Sequence, residues 1–142
     1  MKFEDFTKNQ QAAITADGGV LVTASAGSGK TSVLVQRVMD KILNKGIPID
    51  RLLIVTFTNA AAAEMRERIE KSLAHAQAEN PNSRLIVMQK QRLASAKICT
   101  VDSFCIDLVR ENFDALGIMP DFSIVDPSGV ESLQNQALSE VL

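Results

Sequence analysis

The sequence predicts an α/β fold in which helices cover both faces of a parallel sheet. Apolar runs of strand length alternate with amphipathic patterns of helix length, which is the order expected of parallel strands joined by helices. A length of 142 residues and a hydrophobic content of 46% are enough for one domain with its own core. A glycine-rich turn also lies between the first apolar run and the first helical pattern, a junction that indicates a ligand-binding loop.

The predicted elements follow one another along the chain with short connections. A continuous apolar run over residues 51–57, bounded by turn residues, predicts a strand that is buried in the sheet. Further strands are predicted at residues 19–23 and 97–101, and residues 122–125 should form a short strand or an extended segment. Helices are predicted over residues 33–39, from about 59 to a break at 80–83, over 85–96 and from 102 to 117. A last helix should begin at Asp126-Pro127, where an N-cap is followed by a first-turn proline, and continue to the end of the sequence.

Residues that typically begin or end helices mark two of these boundaries. Asn59 is expected to be the N-cap of the long helix, in which Met65, Ile69 and Leu73 recur at four-residue spacing and predict a buried face. Gly117 should end its helix, because glycine adopts the left-handed conformation at little cost.

The glycine-rich turn has the composition of a phosphate-binding loop. Its residues are Ala24, Ser25, Ala26, Gly27, Ser28, Gly29, Lys30 and Thr31, and Ala24 stands where the general pattern has its first glycine. Gly27 and Gly29 permit backbone conformations that point successive N–H groups at phosphate oxygens, and the following helix adds the positive end of its dipole. Lys30 is then placed for the β- and γ-phosphates and the Thr31 hydroxyl for Mg²⁺. We therefore expect this loop to bind a nucleoside triphosphate with Mg²⁺.

Charge and composition narrow the possible partners. The net charge of −2 argues against a generally basic nucleic-acid-binding protein, but residues 51–100 contain eight basic and four acidic side chains. A nucleic-acid contact, if present, is therefore expected in that middle segment. No apolar run approaches the roughly 20 residues of a membrane span. The first residues lack the apolar stretch of a secretory signal, so we expect a cytoplasmic protein without membrane contact.

The sequence offers no clear metal-binding cluster. Cys99 and Cys105 are six positions apart, which matches neither a metal-binding pair nor a disulfide framework, and both should be small apolar residues near a core. His75, the only histidine, should be a solvated or half-buried residue of the long helix. The basic residues between positions 90 and 97 could face DNA, but a solvated basic face is the simpler account.

Four segments, taken in order, resemble successive motifs of the superfamily 1 DNA helicases related to UvrD and Rep. They are residues 6–10, 24–31, 56–65 and 100–105. The resemblance extends over nearly the whole chain and keeps the order and spacing of the family. The four alanines at 60–63 and the segment 119–126 further resemble the AddA-type helicase–nuclease subunits of bacterial double-strand-break repair. The resemblance implies that residues 1–142 are the N-terminal part of a first RecA-like, ATP-binding helicase domain with a P-loop.

The resemblance assigns roles to several residues at matching positions. Gln10, whose amide carries both a donor and an acceptor, corresponds to the glutamine that selects adenine in the family. Phe57, Thr58, Asn59 and Ser103 correspond to positions that contact single-stranded DNA, by base stacking or through phosphates. On residue types alone, Gln10 would be an ordinary solvated side chain, Phe57 a core residue and the next two residues a helix cap.

Asp102 departs from the family pattern, in which many relatives have a histidine at this position. A carboxylate would repel a DNA phosphate, whereas aspartate is a favourable N-cap for the helix that follows Val101. We therefore expect Asp102 to cap that helix and assign it no contact with DNA.

The parent protein that the resemblance implies is a 3′-to-5′ DNA helicase–nuclease subunit. It would act on single- and double-stranded DNA beside a second, AddB-like subunit, with ATP between two RecA-like domains. This sequence has no Asp-Glu pair on an apolar strand to hold Mg²⁺ and activate water, and no nuclease cluster. We expect the 142-residue chain to bind nucleotide weakly and to turn it over hardly at all.

The last predicted helix has a mostly apolar stripe that runs to the end of the chain. Val130, Leu133 and Leu138 belong to it. Because natural termini are more often polar, we expect the chain to be the front piece of a longer protein. Exposure of such a stripe is unfavourable, so self-association through it is a further expectation.

Three other functions remain open on the sequence. A UvrD- or PcrA-type repair helicase would share these motifs, but its parent would lack a nuclease motif. A nucleotide or small-molecule kinase also uses a Gly-Lys-Thr loop but does not require Gln10 or the 56–59 segment. A nucleotide-sensing or partner-binding module would keep the loop without hydrolysis.

Overall fold

The chain consists of two compact units, Met1–Phe104 and Cys105–Leu142, in this computed structural model. The structure describes residues 3–119, 121–125 and 127–141. The boundary between the two units falls within a helix, and the glycine-rich loop and residues 56–65 lie in the first unit.

The described residues form helices that alternate with two strands. In chain order these are α1 (Lys8–Thr15), α2 (Lys30–Met39), β1 (Leu53–Thr56), α3 (Asn59–Glu79), α4 (Arg84–Arg92), β2 (Lys97–Thr100), α5 (Val101–Glu111), α6 (Phe113–Leu116) and α7 (Pro127–Val141). Short 3₁₀ turns lie at Phe3–Asp5, Ile49–Arg51 and Leu93–Ser95, and a π-helical turn, Asp40–Asn44, continues α2.

Within the residues that the structure describes, the sheet consists of two parallel strands. β1 and β2 pair from Leu53 opposite Lys97 to Thr56 opposite Thr100. Helices α3 and α4 form the crossover between them, as parallel neighbours require. Because the strands run in the same direction, the residues after Thr56 and after Thr100 leave the sheet at the same edge. Both of these predicted strands are confirmed, with slightly shorter bounds, but the predicted burial of the first is wrong for Leu53 and Val55, which are exposed.

The main core lies between the sheet and helices α2, α3 and α4. Met65, Ile69 and Leu73 are buried along one face of α3, which confirms the face predicted from their four-residue spacing. They share a buried cluster with Ile54 of β1 and Ile98 of β2. Tertiary packing of this apolar face stabilises the 21-residue helix more than intrinsic propensity does.

Residues 19–23 do not form the strand that the sequence predicts. In the part of the chain that the structure describes, β1 and β2 pair with each other, and residues 19–25 carry no regular structure. Leu21 is 89% exposed. The prediction is wrong because an apolar run indicates a tendency to be buried but does not supply the neighbouring strand that its backbone hydrogen bonds need.

Helices cover one face of the sheet, and not both, in the described residues. Ile54 and Ile98 point into the core and are buried. Leu53 and Val55, which alternate with Ile54 along β1, lie on the opposite face and are exposed. The sequence analysis predicted helices on both faces of the sheet. Within residues 3–119, 121–125 and 127–141, no helix covers the second face.

The second unit contains the rest of α5, followed by α6 and α7. Gly117 follows α6 with a φ angle of 64°, which confirms it as a left-handed helix stop. Residues 122–125 carry no regular structure, although the Phe122 ring contacts the guanidinium of Arg110, 5.7 Å from the ring centre. Asp126, the expected N-cap of α7, lies outside the described residues.

Several apolar side chains of α7 are exposed. Val130, Leu133 and Leu138 all lie at the surface of the second unit, and self-association through them stays a prediction. Among the described helices, none combines the length and the apolar character that a bilayer crossing requires.

A buried amide fastens the turn after α2 to α4. Gln89 is 0% exposed, and its Oε1 accepts a hydrogen bond from the backbone N–H of Ile49 at 2.9 Å. Its Nε2 donates to the carbonyl oxygens of Ile42 and Ile47, at 3.0 and 3.1 Å. One side chain therefore satisfies three backbone groups of a turn packed against the core.

Gln89→Leu should destabilise the fold, because it leaves one backbone N–H and two carbonyl groups without their partner. An unsatisfied buried group costs about 1–3 kcal/mol, so the three groups together should lower the free energy of unfolding by urea by at least about 3 kcal/mol. The matched control is Gln91→Leu, at an exposed position of the same helix, which should change it by less than about 0.5 kcal/mol. Equal effects of the two substitutions would contradict this role of Gln89.

Candidate nucleotide-binding site

The glycine-rich loop leads directly into α2. Gly27 and Gly29 have φ angles of 76° and 83°, a left-handed conformation that glycine adopts at little cost. Gly29 is the N-cap of α2 and has no side chain with which to cap it. The first N–H groups of a helix have no acceptor within the helix, so they keep their capacity to bind an anion.

The side chain of Lys30 binds its own loop. Its Nζ donates to the carbonyl oxygens of Ala24 and Ser25, at 2.8 and 2.7 Å. The N–H of Ser28 makes a longer bond, 3.4 Å, to the Ser25 carbonyl. Residues 24–28 are exposed throughout. The ammonium group thus lies against an accessible loop, where a phosphate oxygen could replace either carbonyl as its acceptor.

The side-chain amide of Gln10 reaches the loop from α1. Its Nε2 donates to the Ser28 carbonyl at 3.2 Å, and its Oε1 accepts from the N–H of Thr7 at 2.9 Å. Because one partner is an acceptor and the other a donor, the two ends of the amide cannot be exchanged. Thr7 Oγ1 in turn accepts from the Gln10 N–H, which completes a capping box at the start of α1. The amide is therefore held beside the loop in one orientation.

Thr7 is a site residue that the sequence analysis missed. Thr7 and Gln10 have the S/T-x-x-E/Q spacing of a capping box, a local signal that needs no structure to be recognised. The contact between Gln10 and Ser28 spans 18 positions and has no such local signal.

A cavity of about 450 Å³ extends from the start of α2 to the end of β1. Its lining includes Lys30 and Thr31 of the loop and Thr56, Phe57 and Thr58 at the carboxyl end of the strand. The remaining lining residues are Leu34, Ala61, Glu64 and Met65. The cavity thus brings two of the residues predicted for phosphate and Mg²⁺, Lys30 and Thr31, together with two of those predicted for DNA, Phe57 and Thr58.

The segment after β1 presents an aromatic ring and the start of a helix. Phe57 is 96% exposed, so it is not the core residue that its type alone suggests. Thr58 is the N-cap of α3, and its Oγ1 accepts from the Ala61 N–H at 3.1 Å. The predicted cap at Asn59 is wrong by one residue, because Thr58 is the residue that keeps the extended backbone a cap needs. Asn59 is the first helical residue and is exposed.

The segment after β2 also begins a helix with a threonine. Thr100 Oγ1 accepts from the Ser103 N–H at 3.1 Å and donates to Ser103 Oγ at 2.9 Å, so Thr100 caps α5. The expected cap at Asp102 is wrong because the helix already begins at Val101. Asp102 lies inside the first turn, where a carboxylate still interacts favourably with the helix dipole. Ser103 is half-buried.

The described residues contain no group of three or more His, Cys, Asp or Glu side chains that could hold a metal ion. His75 is exposed on α3, with its Nδ1 3.7 Å from Glu79 Oε2, as expected of a solvated helix residue. Cys99 is half-buried, but Cys105 is exposed, so the expectation that both lie near a core is wrong for Cys105. An amphipathic helix such as α5 exposes part of its surface whatever residue stands there.

Ion pairs tie the segment after α1 to the π-helical turn that continues α2 and to the residue that follows this turn. Asp17 pairs with Lys41 at 3.0 Å and also with Lys45. Hydrogen bonds from Lys45 and then from Lys41 lower the pKa of Asp17 to about 2. The same bond to Asp17 raises the pKa of Lys45. The connection between α1 and the loop is therefore tethered, at its start, to the end of the helical segment that follows the loop.

The chain belongs to the UvrD/REP helicase N-terminal domain family, whose model matches residues 6–141. It is 47% identical over 140 residues to the A subunit of the ATP-dependent helicase/nuclease of Clostridium acetobutylicum. Proteins of the same name in Pelotomaculum thermopropionicum and Clostridium botulinum are 48% identical over 139 residues and 45% identical over 136 residues. These alignments cover 94% or more of this chain but 11% of each relative, so the chain spans about a tenth of their length. The resemblance drawn from the four motifs is confirmed.

Asp17→Asn should weaken the fold in a pH-dependent manner. The pKa of Asp17 in the folded protein, about 2, lies below its ordinary value of 3.8, so the ionised form stabilises the fold above about pH 4. That contribution is lost as the pH falls from about 4 to about 2. We expect the wild-type chain to melt at a higher temperature than Asp17→Asn at neutral pH and the difference to vanish near pH 2. Because Asp17 is exposed, high salt should also reduce the difference, and a pH-independent difference would contradict the assignment.

Proposed function

We propose that this chain is the ATP-binding segment of a 3′-to-5′ DNA helicase–nuclease subunit that acts in double-strand-break repair and recombination. It binds ATP with Mg²⁺ and contributes to the contact with single-stranded DNA. The observation that carries the proposal is the placement of the Gln10 amide, Lys30 and Thr31 around one glycine-rich loop. The family match and the names of the relatives support a helicase over a kinase or a sensing module.

The loop offers a triphosphate several groups of the right chemistry. Lys30 would exchange the carbonyls of Ala24 and Ser25 for β- and γ-phosphate oxygens, which accept stronger hydrogen bonds because they are charged. Thr31 lies in the first turn of α2 and lines the same cavity as Lys30. Its hydroxyl suits Mg²⁺, a hard cation that prefers oxygen ligands. When bound, the ion would neutralise phosphate charge and orient the terminal phosphates.

Gln10 would select adenine through the hydrogen-bonding capacity that remains on its amide. Oε1 has a second lone pair and Nε2 a second N–H, beyond the bonds to Thr7 and Ser28. Adenine presents a donor, N6, next to an acceptor, N7, which matches an acceptor and a donor held in fixed order. Guanine presents two acceptors, O6 and N7, so one of them would face the Oε1 lone pairs. The fixed amide therefore favours ATP over GTP.

The sheet edge beside the loop would contact single-stranded DNA. Phe57 is almost fully exposed, and its ring could stack on a base. Thr58 and Asn59 begin α3, where backbone N–H groups and the helix dipole favour a phosphate. Ser103 lies in the first turn of α5, which leaves the sheet at the same edge.

A short path would couple the two ligands. Thr31 and Phe57 line one cavity, so rearrangement of the loop around ATP would alter the surroundings of the DNA-contacting segment. In the parent protein, ATP would close the cleft between this domain and a second RecA-like domain, and hydrolysis would reopen it. Alternating grip on single-stranded DNA would then produce translocation.

The parent protein would act with a second, AddB-like subunit on double-stranded DNA ends. The relatives are each named as one subunit of a helicase/nuclease, which supports an enzyme of several subunits, and they are about nine times as long as this chain. We place the parent in the cytoplasm because the relatives are bacterial, and bacterial DNA lies there.

Titration of the chain with fluorescent ATP and GTP analogues and Mg²⁺ tests the nucleotide site. The wild-type chain should bind ATP more tightly than GTP. Lys30→Ala should weaken the binding of both nucleotides about 10- to 100-fold, because charge-assisted hydrogen bonds to the phosphates are lost. Gln10→Ala should bind GTP with unchanged affinity. It should lose the preference of the wild-type chain for ATP over GTP, which we expect to be about tenfold.

Gln10→Glu is the matched control, because glutamate at this position preserves the capping box with Thr7 but removes the Nε2 donor. It should leave α1 folded and still abolish the preference for ATP. Wild-type binding without base preference would remove Gln10 from the site and favour the kinase alternative. A folded wild-type chain that binds neither nucleotide would contradict the proposed site.

Phe57→Ala should weaken the binding of oligothymidine about 5- to 100-fold, since stacking of a base on an aromatic side chain contributes about 1–3 kcal/mol. Fluorescence anisotropy with labelled oligothymidine measures this. Truncation of an almost fully exposed ring should change the free energy of unfolding by less than about 0.5 kcal/mol. Phe113→Ala, which removes an exposed phenylalanine of the second unit, is the control and should leave DNA binding unchanged. Equal affinities of Phe57→Ala and the wild-type chain for oligothymidine would contradict the stacking role of Phe57.

A further inference from the structure

One face of α2 holds the C-terminal part of α1 at three successive turns. Val33, Arg37 and Lys41 follow one another at four-residue spacing along α2 and its π-helical continuation, so they lie on the same side. Val33 shares a small buried cluster with Ile14 of α1. Lys41 pairs with Asp17, two residues beyond the end of α1.

The central contact of this face is a guanidinium group that caps α1. Arg37 Nη1 donates to the carbonyl oxygens of Ala13 and Ile14, at 2.6 and 3.3 Å. The last carbonyls of a helix have no donor within the helix, and a positive charge there also interacts favourably with the helix dipole. Because α1 has eight residues, it is too short to be stable alone, and contacts of this kind decide where it lies.

The position of α1 sets the position of Gln10. Ala13 and Ile14 follow Gln10 by about one helical turn, which is roughly 5 Å along the axis. The bond from Gln10 Nε2 to the Ser28 carbonyl already measures 3.2 Å, which is at the upper end of the normal range for an N–H···O bond. A shift of α1 by about 1 Å would therefore separate the amide from the loop.

We propose that Arg37 is a positioning residue for base recognition, which fixes Gln10 against the loop by holding the C-terminal carbonyls of α1. The inference rests on the proposed nucleotide-binding function and adds a determinant of base selectivity that lies outside the nucleotide contacts. The bonds of Lys30 to Ala24 and Ser25 do not involve Arg37. Loss of Arg37 should therefore spare phosphate binding.

The test is the ratio of the ATP and GTP dissociation constants for the wild-type chain, Arg37→Ala and Arg37→Lys, with the fluorescent analogues and Mg²⁺. Arg37→Ala should lower the preference for ATP at least about fivefold and change the GTP dissociation constant less than about twofold. Arg37→Lys keeps a cationic donor without the planar fork, so it should recover part of the preference. If Arg37→Ala does not fold, Arg37→Lys alone tests the proposal. Its preference for ATP over GTP should then still be lower than that of the wild-type chain.

Arg92→Ala is the matched control, because it removes an arginine of α4 whose guanidinium contacts Asp50 at 3.3 Å. It should leave the ratio unchanged. A wild-type ratio in Arg37→Ala, or an equal loss of ATP and GTP binding, would overturn the assignment, because a merely structural role would weaken both. A wild-type chain that binds without base preference, or not at all, would instead refute the proposed function, and this inference with it.

Discussion

One hydrogen bond, from the Gln10 amide to the Ser28 carbonyl, joins the first helix to the glycine-rich loop across 18 positions of sequence. The rest of the candidate site depends on it, because it sets a group able to read a base beside groups able to bind phosphate. Thr7 fixes which end of the amide faces the loop. Arg37 and the Asp17 ion pairs hold the other end of the helix to α2, so both ends of α1 are fixed relative to the loop.

The parallel register of two short strands explains why the second half of the site lies where it does. Thr56 and Thr100 are partners in the sheet, so the chain segments that follow them start from one edge. Parallel sheets bind their ligands at the carboxyl ends of the strands. The cavity that joins Thr31 to Phe57 at the end of β1 lies where this rule predicts. Nucleotide-binding and DNA-contacting candidates are therefore neighbours as a consequence of topology, although they are distant in sequence.

Local patterns predicted what local forces determine. The spacing of Met65, Ile69 and Leu73 identified a buried face, and the composition of the loop identified its left-handed glycines. Where the structure of a segment depends on a partner elsewhere in the chain, the local sequence pattern did not predict that structure. The apolar run at 19–23 has no neighbouring strand among the described residues and stays irregular.

The same limit applies to the candidate site. The sequence predicted Asn59 as the N-cap of α3, but the cap is Thr58. Both residue types cap helices well, and the backbone geometry decides between them. No local pattern could have revealed the contact between Arg37 and α1, which joins positions 23 and 24 residues apart.

A crystal structure of the chain with a non-hydrolysable ATP analogue and Mg²⁺ is the most direct test of the proposed site. We expect Lys30 to leave the carbonyls of its own loop for the phosphates and adenine N6 to donate to Gln10 Oε1. Phosphates bound elsewhere, with Lys30 still on its own loop, would contradict the proposal.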